Sequence, residues 1–442
     1  MSPSLAVFLC SLFVISIFWI DKKDNPDISS VSWIPTIWLI YSMSKPLGRW
    51  LDVHTTIEAG SPPDRLFLAI LIILSMTILL KRKFDWKQAT KENLFLILVL
   101  GFMLISALWS EVPLISYRRW IKDFSAPLMG FLILSEPDPY KSVIIIFKRS
   151  AYVALPISLV LIKYFSIYGR QYNRWTGEVM WVGISTQKNR LALIAAFSII
   201  IFFWEFWQKK WNWRNKLLLI IDIFYMLLAL VILLGPERNF KHSATSSICL
   251  ILALLLLFIF IYFGYKSIKI SSKTTHLITI SIITIGSLLP FLRKIPLVNI
   301  LSSFGRDSTL TGRTEIWSML MPYLQKRPLF GYGRGGFWTT FLRNKIAPHA
   351  HNGYLDLMLE LGLVGLIIIS FFLFMTCKKY IRIMPVNYGF STLFFCFFFM
   401  FIIHNMSESS IIDLHVFPTS LIVLFSLMPD QIKTSRNDFE SL

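Results

Sequence analysis

The sequence predicts an all-α polytopic membrane protein, and three observations carry that prediction. Hydrophobic residues make up 55% of the 442, with 38 Phe and 15 Trp, and the mean hydropathy is +0.61. A soluble chain of this length could not hide so much apolar surface. The apolar residues fall into runs separated by short basic connectors. In lipid the backbone must satisfy its own hydrogen bonds, so each run is expected to be a helix.

Taken in order, the runs are Leu5–Ile20, Val31–Met43, Leu66–Leu80, Leu94–Trp109, Phe124–Leu134 and Val143–Phe165. They continue as Leu191–Trp207, Leu217–Leu234, Ile248–Tyr265, Leu277–Leu289, Tyr354–Met375, Phe390–Ile403 and Ile411–Leu427. This predicts 12 or 13 crossings, depending on Val31–Met43. Several runs are shorter than the roughly 20 residues of a full span, so tilt or re-entrance must help. The first run lacks a basic leader and a small-residue cleavage site, which makes it an uncleaved anchor. Cys10, Cys249, Cys377 and Cys396 all lie in or beside apolar runs without CxxC spacing, as small packing residues do.

Basic clusters recur after every second run. They are Lys81–Lys83 with Lys87 and Lys91; Lys141, Lys148 and Arg149; Lys209, Lys210, Arg214 and Lys216; Lys266, Lys269 and Lys273; and Lys378, Lys379 and Arg382. The positive-inside rule assigns these connectors to the cytoplasm. The segments Ser166–Arg190 and Phe291–Asn352 are then outside, although both are basic. The second carries nine Lys/Arg against Asp307 and Glu315, and the first carries Arg170, Arg174, Lys188 and Arg190 against Glu178. Cations on the translocated side imply an anionic ligand, with anionic lipid headgroups as the simpler alternative. The chain divides into N-terminal helices (1–290), the large loop (291–353) and C-terminal helices with a tail (354–442), together one membrane domain.

Within that loop Ile316, Trp317, Leu320, Tyr323 and Leu324 recur at helical spacing, predicting a surface helix over Arg313–Gln325. The turn Gly331-Tyr-Gly333-Arg-Gly335-Gly336 formally contains GxGxxG. No strand precedes it, so its glycines are expected to let backbone groups approach closely and not to bind a dinucleotide. His349 and His351 follow, just before the Tyr354 run. Free N–H groups at that helix end would favour a neutral His351 able to act as a general base. Asp356 and Glu360 share one face of the helix and are expected to line the site or pair with cations.

These residues carry a resemblance. LTGRTEIW, PLFGYGRGGFW and HAHNGYLDLMLELGLVG resemble the O-antigen ligase and Wzy-type polymerase superfamily, especially its ExoQ-like exopolysaccharide polymerase branch. Weaker matches are WIPTIWLIYSMSKPLGR, Gly60–Arg65, Ser185–Arg190, His242–Thr245 and Asn405–Ser409. The resemblance implies an inverting glycosyltransferase on the periplasmic face of the bacterial inner membrane. It would move a glycan from undecaprenyl diphosphate to an acceptor sugar hydroxyl, without cofactor or metal. Implied partners are the lipid-linked donor, the glycan acceptor, and flippase and chain-length proteins, with no nucleic acid.

By the same resemblance His351 is the catalytic base and Arg313 the first diphosphate ligand. The second essential arginine falls on Arg238 or Lys241. Arg190, Lys188 and Arg334 are supporting cations, and Glu408 orients a base or binds acceptor hydroxyls. Read from the residues alone, His349 is a partner of the base or a helix-cap or interface residue, and Glu408 also reads as a cap. The leading function is a polymerase that extends lipid-linked repeat units. The alternative is a ligase that moves finished polymer to lipid A–core or another carrier. A transporter is disfavoured because the span centres look nearly free of charge.

Overall fold

Helix follows helix through almost the whole chain in the computed structural model. It describes residues 1–53, 60–172, 177–208, 216–236, 242–265, 272–291 and 312–429. The main helices of the first half are α1 (Pro3–Asp24), α2 (Trp33–Met43), α3 (Pro62–Lys81), α4 (Trp86–Glu92), α5 (Leu94–Ile105), α6 (Pro113–Leu134) and α7 (Pro139–Tyr164). A hairpin, β1 (Arg170–Tyr172) against β2 (Val179–Trp181), interrupts the series. Then come α8 (Lys188–Gln208), α9 (Lys216–Leu234), α10 (Ala244–Tyr265), α11 (Ser272–Leu288), α12 (Arg313–Lys326), α13 (Thr340–Lys345), α14 (Gly353–Ile383), α15 (Tyr388–His404) and α16 (Thr419–Ser426). Proline opens α1, α3, α6 and α7, where its fixed φ suits the helix and its missing N–H costs nothing.

The polytopic helical class stands, with fewer full spans than the apolar runs suggest. Among the described residues eight helices are long and apolar enough to cross a membrane: α1, α3, α7, α8, α9, α10, α11 and α14. The pair α4 and α5, bent by 89°, would make a ninth. The run Val31–Met43 yields only the 11 residues of α2, roughly 16 Å of helix against a core of about 30 Å. The run Ile411–Leu427 is largely turns ahead of the eight-residue α16, because buried polar groups there bond to the turn and not to a continuous helix. Helices α7 and α8 are the inner ones, with 78% and 72% of their apolar windows buried, against 17% for α1.

One basic cluster proves not to be a connector. Lys148 and Arg149 lie inside α7, both buried. Lys148 Nζ contacts Glu205 Oε2 at 2.8 Å on α8 and Asp222 Oδ1 at 3.1 Å on α9. Arg149 Nε contacts Asp21 Oδ2 on α1 at 2.7 Å, and its guanidinium lies over Trp33. Burying a charge is tolerable only with such partners, so these cations fasten helices together. The helix interiors are therefore less free of charge than the sequence suggests, but these charges are paired.

The glycine-rich turn has a structural task. Helix α14 breaks at Gly362, whose φ of +67° is left-handed. Residues 328–333 run into the break. Tyr332 N and Gly333 N donate to the carbonyls of Leu359 and Glu360, while Leu363 N and Val364 N donate to those of Pro328 and Leu329. Four backbone groups freed by the break are thus satisfied in an apolar setting. A Cβ on Gly362 would meet Leu329 O at 2.2 Å, and one on Gly331 would meet the Glu360 carbonyl carbon at 2.6 Å. Close backbone approach is what these glycines allow, as their sequence context predicts.

Candidate active site

Arg313 stands at the first position of α12, after Gly312 in the left-handed region. The expected amphipathic pattern places Trp317, Leu320 and Leu324 in the interior. Trp317 Nε1 donates to Ala350 O at 2.8 Å, tying α12 to the histidine turn. Arg313 is thereby buried, and its Nη2 reaches Glu408 Oε1 at 3.2 Å.

The histidine turn is fixed from several sides. Asn352 caps α14, its Oδ1 accepting from Leu355 N at 2.9 Å while its Nδ2 donates to Gly286 O and Met406 O. His351 is therefore one residue outside the helix end and not on it. Its backbone is left-handed, with φ +52°, an uncommon conformation for a residue with a Cβ. Asp356 supports that geometry: its carboxylate accepts from Ala350 N, Trp338 Nε1 and Ser409 Oγ. His351 N donates to His349 Nδ1 at 3.2 Å, and the two rings lie 4.1 Å apart. Since His349 Nδ1 accepts, the neutral ring carries its proton on Nε2. Burial first, then the charge of His351, pulls the His349 imidazole down to about 3.

Glu408 joins the parts. It is buried in the turn after α15, and its Oε1 also accepts from Asn189 Nδ2 at 2.6 Å. Its Oε2 stands 3.7 Å from His351 Nδ1. Burial alone would push this carboxyl up. The His351 ring beside it, aided by His349 and His404, outweighs that and holds the group well below the ordinary carboxylate range. Glu408 is a bridge and not merely a cap.

Gln187, Asn189, Arg190, His349, His404, Glu408, Ser409 and Ser410 line one small cavity here. Arg190, on the first turn of α8, is the loosely held cation of this group. Among the described residues its guanidinium makes one long hydrogen bond, 3.4 Å to Thr186 Oγ1, and no ion pair. Glu408 and Asp413 attract it only from a distance. Lys188 lies two residues earlier, at the first residue of α8.

Arg334 requires a correction. As a supporting cation it would need a free edge, yet it is 1% exposed and fully engaged. Its Nε meets Asp123 Oδ2 at 2.7 Å, Nη1 meets Glu360 Oε2 at 2.8 Å and Nη2 meets Asp413 Oδ1 at 2.7 Å. Three carboxylates from α6, α14 and the 405–418 turn consume its donors, so it braces the fold. Glu360, which also accepts from Gly335 N, is taken up by that brace and does not line the cavity. Arg238 and Lys241 lie outside the described residues.

His404 carried no signal in the sequence beyond ending an apolar run. The roles of Asn189 and of the His415–Asp123 contact at 2.8 Å were also not visible there, because they join segments more than 200 residues apart.

His349, His351 and Glu408 can bring one ligand atom each to within 4.8 Å of the others. Two imidazoles and a carboxylate form a reasonable donor set for a divalent cation. Here, however, Arg313 and Asn189 already hold Glu408, and Arg190 lines the same cavity. That positive surrounding suits an anion better than a metal ion.

Residues 239–370 match the family model described as O-Antigen ligase. That stretch of the chain is similar to the O-antigen ligase family. Exopolysaccharide production protein ExoQ of Rhizobium meliloti (strain 1021) is 24% identical over 308 residues, 61% of this chain. The match spans 61% of that relative's length. Both findings bear out the resemblance to the O-antigen ligase and ExoQ-like polymerase superfamily. The matched stretch contains Arg313, His349 and His351, while Asn189, Arg190, His404 and Glu408 complete the cluster from outside it.

Proposed function

We propose that this chain is an inverting glycosyltransferase of surface-polysaccharide assembly. It transfers a glycan from undecaprenyl diphosphate to an acceptor sugar hydroxyl, as a polymerase of lipid-linked repeat units. The observation that carries this reading is Glu408, whose carboxylate reaches Arg313 and the base candidate His351 and which lines one cavity with Arg190, His349 and His404.

His351 has its Nδ1 toward Glu408, which leaves Nε2 for an acceptor hydroxyl; the side chain is 30% exposed and reachable. As the acceptor oxygen attacks the anomeric carbon, its proton passes to His351 and Glu408 stabilises the imidazolium. The bond from the anomeric carbon to the diphosphate breaks on the opposite face, and the electron pair leaves with the lipid diphosphate. Direct displacement inverts the centre. Arg190 takes the place of the second essential cation beside Arg313. Guanidiniums there hold the leaving group more strongly as its charge grows.

The reaction is assigned to the periplasmic face of the bacterial inner membrane. The basic connectors support that orientation, now without Lys148 and Arg149. The description of the matched family favours the second reading, a ligase that delivers finished polymer to a carrier. Deleting the gene separates the two. Accumulation of single lipid-linked repeats supports the polymerase; long polymer that never reaches its carrier supports the ligase. Unchanged surface polysaccharide overturns both.

A further inference from the structure

His404 ends α15 and is 4% exposed, yet among the described residues neither ring nitrogen has a hydrogen-bond partner. Its carbonyl accepts from Ser407 N and Glu408 N, so its backbone starts the turn that aims Glu408. Its side chain lines the cavity with Arg190, His349 and Glu408. A buried polar group left unpaired is costly, by about 1–3 kcal/mol, and such a ring inside a cavity calls for a ligand atom. The neighbouring guanidinium of Arg190 is similarly under-used, with one long contact among the described residues. Two donors on one cavity wall, an N–H fork and an imidazole N–H, suit oxygens that share a negative charge.

We propose that His404 is a diphosphate-binding residue, donating a hydrogen bond from its ring to the lipid diphosphate held by Arg190 and Arg313. The inference rests on the donor-site reading above and adds a third histidine to it. Imidazole supplies a short, rigid donor there.

The test uses the purified full chain and farnesyl diphosphate as the probe, with binding followed by calorimetry and folding by thermal unfolding. His404→Phe should weaken binding roughly ten-fold or more, the worth of one hydrogen bond to a charged group. Unfolding without ligand should be unchanged or shifted upward, since no hydrogen bond of the free protein is lost. His404→Asn, which keeps a donor, should recover part of the affinity. Equal affinity in wild type and both variants overturns the role of His404 and leaves the donor site standing. No binding by wild type overturns the donor site and this inference together.

Discussion

The Nδ1 of His351 lies 3.7 Å from Oε2 of Glu408, just beyond hydrogen-bond distance, with no hydrogen-bond partner among the described residues. A small movement on substrate binding would close that gap, since catalytic contacts commonly tighten once substrate is bound. His351→Gln should therefore lower transfer by about 10²–10⁴-fold, measured with lipid-linked repeat units in membranes. Glu408→Gln should lower it less, and the double variant should be little worse than His351→Gln alone, because the two act as a unit. Normal turnover in His351→Gln would remove the base from the proposal.

Arg190→Lys and Arg313→Lys should each raise the donor KM and lower kcat, while unfolding temperatures stay near wild type. A point charge does not reproduce the planar fork that grips two phosphate oxygens. If Arg190→Lys behaves as wild type, the second cation must be sought elsewhere.

Acid should destabilise the protein through His349. Its folded-state value near 3 lies below the unfolded value near 6.5. Between those values the unfolded chain binds the extra proton, so stability rises with pH across the window and is lost as pH falls from about 6.5 toward 3. Glu408 acts in the same direction lower down, since its carboxylate contribution disappears only well below the ordinary range. His349→Phe should flatten the fall in unfolding temperature between pH 6.5 and 4; an unchanged slope would count against a buried neutral ring.

Arg334→Gln should destabilise by about 3–5 kcal/mol, because Asp123, Glu360 and Asp413 would lose their shared cation. Yield and unfolding temperature should fall together. A well-folded variant with impaired donor binding would instead return Arg334 to the site.

Gly362→Ala should destabilise by more than about 1–2 kcal/mol from the left-handed backbone alone, with the contact to Leu329 O added. Thermal unfolding in detergent measures it. Gly60→Ala, equally left-handed but with open space around it, should cost less and serves as the control.

The sequence revealed whatever is written locally. Apolar runs gave the helices, the 3–4 spacing from Ile316 to Leu324 gave α12, and the order of motifs drew attention to Arg313, His351 and Glu408, which the fold brings together. It did not reveal pairing. Arg334 and Arg190 look alike as isolated cations in polar loops, yet three carboxylates from two distant helices and a turn occupy the one, while among the described residues the other is nearly bare. Lys148 and Arg149 read as a basic connector because Glu205, Asp222 and Asp21 are remote in the chain. His404 looked like the end of a greasy helix, since an empty hydrogen-bonding ring leaves no trace in sequence.

The insertion of residues 328–333 into the break of α14 also bears on how such proteins can be recombined. A graft that moves the glycine-rich turn between relatives without the matching half of α14 would strand four backbone groups. Chimeras that exchange specificity should keep 328–364 as one inherited block and place their junctions outside it. Variation in substrate choice is then expected to collect at the edges of that block, where side chains can change without disturbing the splice.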